Sequence, residues 1–192
     1  MHASSEAVSS SVMPGAAERE GCSPVPLAEP TFGDAALLLL ALAAAAPWSR
    51  YEACDVPAAD LAHQTTPSAD ACEAACAARP DCAGFTFISG WGRCNLESDA
   101  SRRVTVHLWA AHVDTVDGAR VAQPPARDTD DSGKDLPGGP WSAADPVACA
   151  SLCVGRAECV GYVFVEGYAT CWLKATQGAH TPKQFTCGAR AD

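Results

Sequence analysis

Apolar and polar residues alternate in several short segments of the chain, and this spacing predicts strands. In AGFTFI, Phe85 and Phe87 fall on one side of an extended backbone, and RCNLES follows after the turn sequence SGWG. The same order of alternating segment, turn and returning segment recurs as VGYVFV, EGYA and TCWLKA. Residues 104–109 predict a further strand, because β-branched and aromatic side chains dominate there. The pattern therefore predicts two β-hairpins and an additional strand.

A helix signal precedes each of the two hairpins. Ser68 can accept hydrogen bonds from the free N–H groups at the start of ADACEAACAAR, and Pro80 ends that segment. Asp145 can cap a second helix in the same way, and Pro146 has the backbone φ that suits a first helical residue. The order helix, then hairpin, is therefore expected twice.

The cysteines show that the two copies are one repeated unit. The spacing C-x3-C-x5-C-x11-C begins at Cys72 and begins again at Cys149, 77 positions later. Other residues coincide at the same offset: Arg79/Arg156, Gly84/Gly161, Phe87/Phe164, Gly90/Gly167 and Leu96/Leu173. Units of about 65 residues are rarely stabilised by apolar burial alone, so disulfides and an oxidising compartment are expected.

Composition divides the chain into five segments. Residues 1–34 are rich in Ser, Ala, Pro and Glu without apolar periodicity, which predicts disorder. Residues 35–46 form a continuous apolar run. We place a first repeat at 48–117 and a second repeat at 128–188. Between them, residues 118–127 contain adjacent prolines and predict a semi-extended linker.

The apolar run AALLLLALAAAA predicts a secretory signal. Its twelve residues would make a helix of about 18 Å, shorter than the hydrocarbon core of about 30 Å. An Ala-x-Ala pattern ending near Ala45 suits a signal-peptidase site, although the preceding segment is more acidic than basic. Cleavage there would remove Cys22 and leave an even number of cysteines. An uncleaved anchor and a buried helix are the alternatives.

Charge excludes one class of partner. The chain has 13 Lys and Arg against 23 Asp and Glu, a net charge of −10. Nucleic acids, heparin-like polyanions and anionic membrane surfaces need a basic patch. A membrane association is expected only if residues 35–46 are retained as an anchor.

The second repeat contains two motifs, D-x-D-D-S-G-K-D-L at 128–136 and C-W-L-K at 171–174. With the CxxxC helix and the Cys-x-Gly-aromatic strand, they resemble the PAN/apple domain family. The first repeat has C-N-L-E at 94–97 and departs further from the pattern. The resemblance implies an α+β fold of two disulfide-rich modules, each an antiparallel sheet curled around one helix.

The resemblance also implies a disulfide pairing. The usual bridges of the family, carried onto this sequence, are Cys72–Cys94, Cys76–Cys82, Cys149–Cys171 and Cys153–Cys159. A third bridge of some members would join the first and last strands of one module, yet Cys54 lies in the first repeat and Cys187 in the second. These two cysteines either pair between the modules or remain free for a bond between chains.

Candidate catalytic and metal residues are few. The histidines, which form no recognisable catalytic motif, are His2, His63, His107, His112 and His180. Zinc sites favour shorter cysteine spacers than those present. The acidic positions Asp128, Asp130, Asp131 and Asp135 could bind calcium, but the EF-hand spacing is absent. The sequence therefore predicts no catalytic residue, metal site or cofactor.

Recognition is the predicted role. Trp91 and Tyr168 occupy equivalent hairpin tips, where an exposed ring can stack on a sugar or contact a protein. The alternative is that both rings fold back over the helix as core. PAN/apple modules bind proteins and carbohydrates, so the resemblance implies a non-catalytic, secreted or cell-surface binding or adhesion protein. A disulfide-linked coat or matrix component and a regulatory partner of a secreted protease are the alternatives.

Overall fold

The structure is a computed structural model that describes residues 48–57 and 60–191. The expectations for residues 1–34, residues 35–46 and Cys22 therefore concern segments outside the described residues. The first part of the chain contains β1 Trp48–Glu52, β2 Cys54–Asp55, β3 Asp60–Thr65, α1 Ala69–Ala77, β4 Gly84–Ile88, β5 Arg93–Glu97, β6 Val104–Thr105 and β7 Leu108–Val116. The second part contains β8 Ala119–Ala122, β9 Ala126–Arg127, β10 Thr129–Asp131, β11 Trp141–Ser142, α2 Pro146–Val154, β12 Gly161–Val165, β13 Thr170–Lys174, β14 His180–Pro182 and β15 Phe185–Arg190.

Each helix begins where the capping residue was predicted. The Ser68 hydroxyl accepts from the backbone N–H of Ala71 at 3.2 Å, and the Asp145 carboxylate accepts from that of Ala148 at 2.7 Å. The buried residues of both helices are their cysteines, which attach α1 and α2 to the sheets beside them. The predicted α+β class, with disulfide-rich modules, is confirmed.

The two large sheets exchange strands between the repeats. The first sheet has the order β1-β15-β4-β5-β3, so the last strand of the chain lies between two strands of the first repeat. The second sheet has the order β11-β13-β12-β7-β8, so β7 of the first repeat pairs with β12 of the second. Each sheet therefore contains a central strand from the other repeat.

The segment expected to be a linker, 118–127, lies in the second sheet instead. Both β8 and β9 pair with β7. Asp117 and Gly118 have φ of 48° and 79°, which suits a two-residue hairpin turn matched to the right-handed twist of the strands. The adjacent prolines suggested a spacer, whereas the Asp-Gly signal just before them predicts the hairpin that forms.

Two arginines reinforce the exchange by binding the C-terminal ends of the helices. On α2, the Arg120 guanidinium of β8 donates to the carbonyls of Cys153 and Val154 at 3.3 and 3.2 Å. On α1, Arg190 of β15 donates to the carbonyls of Cys76 and Arg79, both at 3.3 Å. The last carbonyls of a helix lack intrahelical donors and carry partial negative charge. Each guanidinium therefore stabilises the end of a helix that lies in a different segment of the chain.

A shared apolar cluster fills the space between the two sheets. Its buried members are Ile88, Val106, Leu108, Ala110, Val163 and Phe185. Phe185 belongs to the second repeat by sequence but pairs with Ile88 in the first sheet. The two modules consequently share a core and pack as one folding unit rather than as two independent domains.

The structure contains five disulfides among the described residues, including the four implied by the resemblance. These are Cys72–Cys94, Cys76–Cys82, Cys149–Cys171, Cys153–Cys159 and Cys54–Cys187. The last of them joins β2 to β15, with a sequence separation of 133 residues. Because Cys54 and Cys187 bond to each other, neither is available for a bond between chains.

Glu97 is a buried acid among other acids and makes stability depend on pH. Its side chain is 1 % exposed, and one carboxyl oxygen has no hydrogen-bond partner. Burial, followed by the hydrogen bond with Asp60 and the charges of Asp60 and Asp55, raises the pKa of Glu97 to about 8. The folded protein therefore holds this proton at neutral pH, whereas the unfolded chain releases it near its ordinary pKa.

We expect the free energy of unfolding to fall as pH rises through the window between these two pKa values. From about pH 5 to about pH 8, the loss is on the order of 3 kcal/mol. Replacing Glu97 with Gln removes the titrating proton and should flatten this slope, with the largest stabilisation relative to wild type at the upper end. Urea unfolding of wild type and Glu97→Gln at several pH values in this window measures the two slopes. Equal slopes would contradict the raised pKa of Glu97.

Candidate ligand-binding groove

A groove with a volume of about 380 Å³ opens where the two repeats meet. Its walls come from strands of both repeats: Trp91, Leu108, Asp130, Asp131, Ser132, Gly133, Asp135, Val163, Val165, Trp172 and Lys174 line it. Two indole rings, three aliphatic side chains and several carboxylates therefore surround one opening. A concave apolar site with a few polar groups is the usual form of a small-ligand site.

The Trp91 ring stands at the tip of the β4–β5 hairpin and reaches the second repeat. It is 47 % exposed, and the Lys183 ammonium lies 5.4 Å from its ring centroid. Gly90 permits this approach: its φ is +73°, and a Cβ there would lie 2.8 Å from the carbonyl oxygen of Pro182. Any larger residue at position 90 would push the hairpin tip away from the second repeat.

Trp172 is the second tryptophan that lines the groove. On β13 it pairs with Val163 of β12, and its ring is partly buried beside the shared cluster. Trp91 and Tyr168 were the candidate binding residues predicted from the sequence, and Trp172 was not among them. The C-W-L-K motif identifies its strand, but only the exchange of strands brings Trp91 to the same groove.

Three aspartates and one lysine line the groove, so acidic side chains outnumber basic ones there. Lys174 is 6 % exposed and donates to Asp135 at 2.6 Å. Burial raises the pKa of the Asp130 carboxyl above its ordinary value, against the opposing charges of Lys174 and Lys183 and the hydrogen bond from the Trp91 indole. Both lysines of the site are buried, so the groove offers hydrogen-bond acceptors and apolar faces without an exposed cation.

Tyr168 does not join this groove. The ring is 42 % exposed at the β12–β13 hairpin tip, and its hydroxyl donates to the Asp55 carboxylate. Burial and this hydrogen bond raise the pKa of the Tyr168 hydroxyl. The two rings expected to act in equivalent ways are both exposed, but only Trp91 lines the opening between the repeats.

The acidic positions considered for calcium face different partners. Asp128 pairs with His107 at 2.7 Å, and Asp135 pairs with Lys174. Asp131 faces His112 of β7. A calcium site needs several oxygens directed at one point. These carboxylates are directed at separate groups, and the cysteines considered for zinc are all bridged within the described part of the chain.

His107 and Asp128 form the pair closest in type to a catalytic dyad. The Nδ1 atom of His107 lies 2.7 Å from Asp128, but its Nε2 atom faces the Arg127 guanidinium at 2.5 Å. A general base needs that nitrogen directed at a nucleophile. Here the Arg127 guanidinium occupies that position, so the pair connects the junction between β9 and β10 to the residue just before β7.

Comparison with known proteins places both repeats in one family. A PAN domain model matches residues 49–118, and a second PAN domain model matches residues 129–174. The two matches together cover more than half of the chain. No curated protein matches the chain. In the part of the chain from 48 to 191 that the structure describes, neither helix is long and apolar enough to cross a membrane.

Proposed function

The chain belongs to the PAN domain family, and we propose that it is an extracellular, non-catalytic binding protein that recognises a neutral carbohydrate in the groove between its two modules. PAN domains are generally extracellular modules that bind proteins or carbohydrates, and they are typically non-catalytic. A carbohydrate is favoured as the ligand because an exposed indole and several carboxylates surround one opening.

Each part of the groove suits a neutral sugar. The faces of Trp91 and Trp172 offer apolar surfaces of the size of a pyranose ring. Asp130 and Asp135 offer acceptors for sugar hydroxyls beside those rings. Lys174 is already paired with Asp135, so no exposed cation is left in the groove to select a sulfate or carboxylate. A net charge of −10 further disfavours anionic glycans.

Replacing Trp91 with Ala should weaken glycan binding about tenfold or more, because the ring is a central anchor of the groove. An array of neutral and sulfated glycans first identifies the retained oligosaccharides. Calorimetric titration then compares the wild-type protein with Trp91→Ala. The ring is half-exposed, so the thermal midpoint of the variant should remain close to that of wild type.

Tyr168→Ala is the matched control, because it removes an equivalent hairpin-tip ring that lies outside the groove. Its affinity for the same oligosaccharide should stay within about twofold of wild type. Retention of sulfated glycans only, or equal affinity of wild type and Trp91→Ala, would contradict the proposal. If Tyr168→Ala abolishes binding and Trp91→Ala does not, the site lies at the β12–β13 hairpin instead.

A further inference from the structure

Three strands bring two histidines and one aspartate to a single point next to the groove. His112 lies on β7, Asp131 on β10 and His180 on β14, and one ligand atom from each lies within 4.8 Å of the others. The Asp131 Oδ2 atom is 3.1 Å from His112 Nε2 and 3.9 Å from His180 Nε2. The centroids of the two imidazole rings are 4.2 Å apart, and the ring planes are tilted by 46°.

Asp131 is buried and held in one orientation. Its residue is 1 % exposed, and its Oδ1 atom accepts from the backbone N–H groups of Gly133 and Gly178 at 2.7 and 2.8 Å. Those two bonds direct Oδ2 toward the histidines. Oδ2 and His112 Nε2 are both buried and have no hydrogen-bond partner among the described residues.

A buried carboxylate oxygen that accepts no hydrogen bond is costly, even with His112 Nε2 at 3.1 Å. The cost is removed if a cation occupies the space between Oδ2 and the two ring nitrogens. We propose that His112, Asp131 and His180 bind a divalent transition-metal ion of the zinc class. Imidazole nitrogens favour such ions over calcium or magnesium, which prefer oxygen ligands throughout.

The distances fit this ion with small side-chain adjustments. Tetrahedral ligands at zinc bond lengths of about 2.0–2.1 Å are separated by about 3.3 Å. The His112–Asp131 separation of 3.1 Å is close to that value, and the His180–Asp131 separation of 3.9 Å closes by rotation of one imidazole. Both imidazoles are partly exposed, so water completes the coordination.

The ion would connect parts of both repeats. β7 comes from the first repeat, whereas β10 and β14 form the two-stranded sheet of the second. Asp131 also lines the groove, so a bound ion would hold the groove wall in place. The metal site requires no glycan and stands whether or not the groove binds a carbohydrate.

Equilibrium dialysis of the chain, prepared without a histidine tag, against Zn²⁺ tests the site directly. One ion per chain is expected, with a thermal midpoint raised by about 5 °C or more at saturation and restored by a chelator. Co²⁺ in place of Zn²⁺ should give the visible absorption of a low-coordinate site. His180→Ala is expected to lower Zn²⁺ affinity at least tenfold, as is His112→Ala.

His63→Ala is the control, because His63 is exposed and outside the cluster. It should bind Zn²⁺ as wild type does. The histidine variants keep the Asp131 contacts to the backbone, so each should retain the wild-type circular dichroism spectrum without metal. Binding of much less than one ion per chain, or unchanged Zn²⁺ affinity in His180→Ala and His112→Ala, would show that the cluster is only a histidine–carboxylate pair and overturn the proposal.

Discussion

Replacing both Cys54 and Cys187 with Ala should cost more stability than removing any of the other four disulfides that the structure describes. The bridge closes a loop with a sequence separation of 133 residues, and its loss frees the unfolded chain of its longest constraint. In the chain-entropy model the free energy of unfolding falls by about 5 kcal/mol. The affected region should be β15, because Cys187 lies at its centre between β1 and β4.

The matched control is the double variant Cys76→Ala and Cys82→Ala. That bridge closes a loop with a separation of only 6 residues, and the same model gives a loss of about 2 kcal/mol. Denaturant unfolding provides both values, and hydrogen exchange locates the weakened strands. A smaller loss for the long bridge than for the short one, or unchanged protection of β15, would contradict the assignment.

Neither repeat should fold by itself. A fragment of residues 48–127 lacks β15, which among the described strands is the only partner of β1 and is one partner of β4. A fragment of residues 128–191 lacks β7, and with it Ala111 and Val113, which pack in the apolar cluster around Tyr162 and Leu173. Each fragment therefore exposes apolar surface and unpaired strand edges that the intact chain covers. We expect poor secretion and no cooperative unfolding transition.

An intact chain carrying Cys54→Ala and Cys187→Ala is the proper control, because the fragments need the same substitutions to avoid unpaired thiols. It should keep a cooperative transition, since the shared cluster and all strand pairs remain. Circular dichroism and amide dispersion in ¹H–¹⁵N spectra compare the three proteins. A fragment with the dispersed spectrum of the intact chain would show that strand exchange is not required for folding.

Local features of the fold were predictable because their signals lie close together in sequence. Ser68 and Asp145 mark the helix starts through side chains that cap within three residues. The strands and turns of both hairpins follow from alternation and glycine position. The pairing Cys149–Cys171 follows from the family resemblance carried by the surrounding motif, and the structure contains it.

Strand exchange and the groove were not predictable from the same signals. The sequence predicts a strand at 104–109, which overlaps only the start of β7, and no strand where β15 forms. No property of Leu108 or Phe185 alone tells which sheet will receive its strand. Trp91 and Trp172 lie in different repeats, so their shared opening depends on that choice. His112, Asp131 and His180 lie far apart in sequence and in no short-spacer motif, which is why inspection of the histidines alone missed the cluster.

The two-dimensional ¹H–¹⁵N spectrum of the indole N–H groups tests the groove most directly, because the chain has 5 tryptophans. Two of them line the groove, while Trp48, Trp109 and Trp141 pack elsewhere beside arginines. Titration with the neutral oligosaccharide selected on the array should shift the signals of Trp91 and Trp172 and leave the other three unchanged. Saturable binding that leaves both groove indoles unshifted, or that moves only the other three, would contradict the assignment of the site.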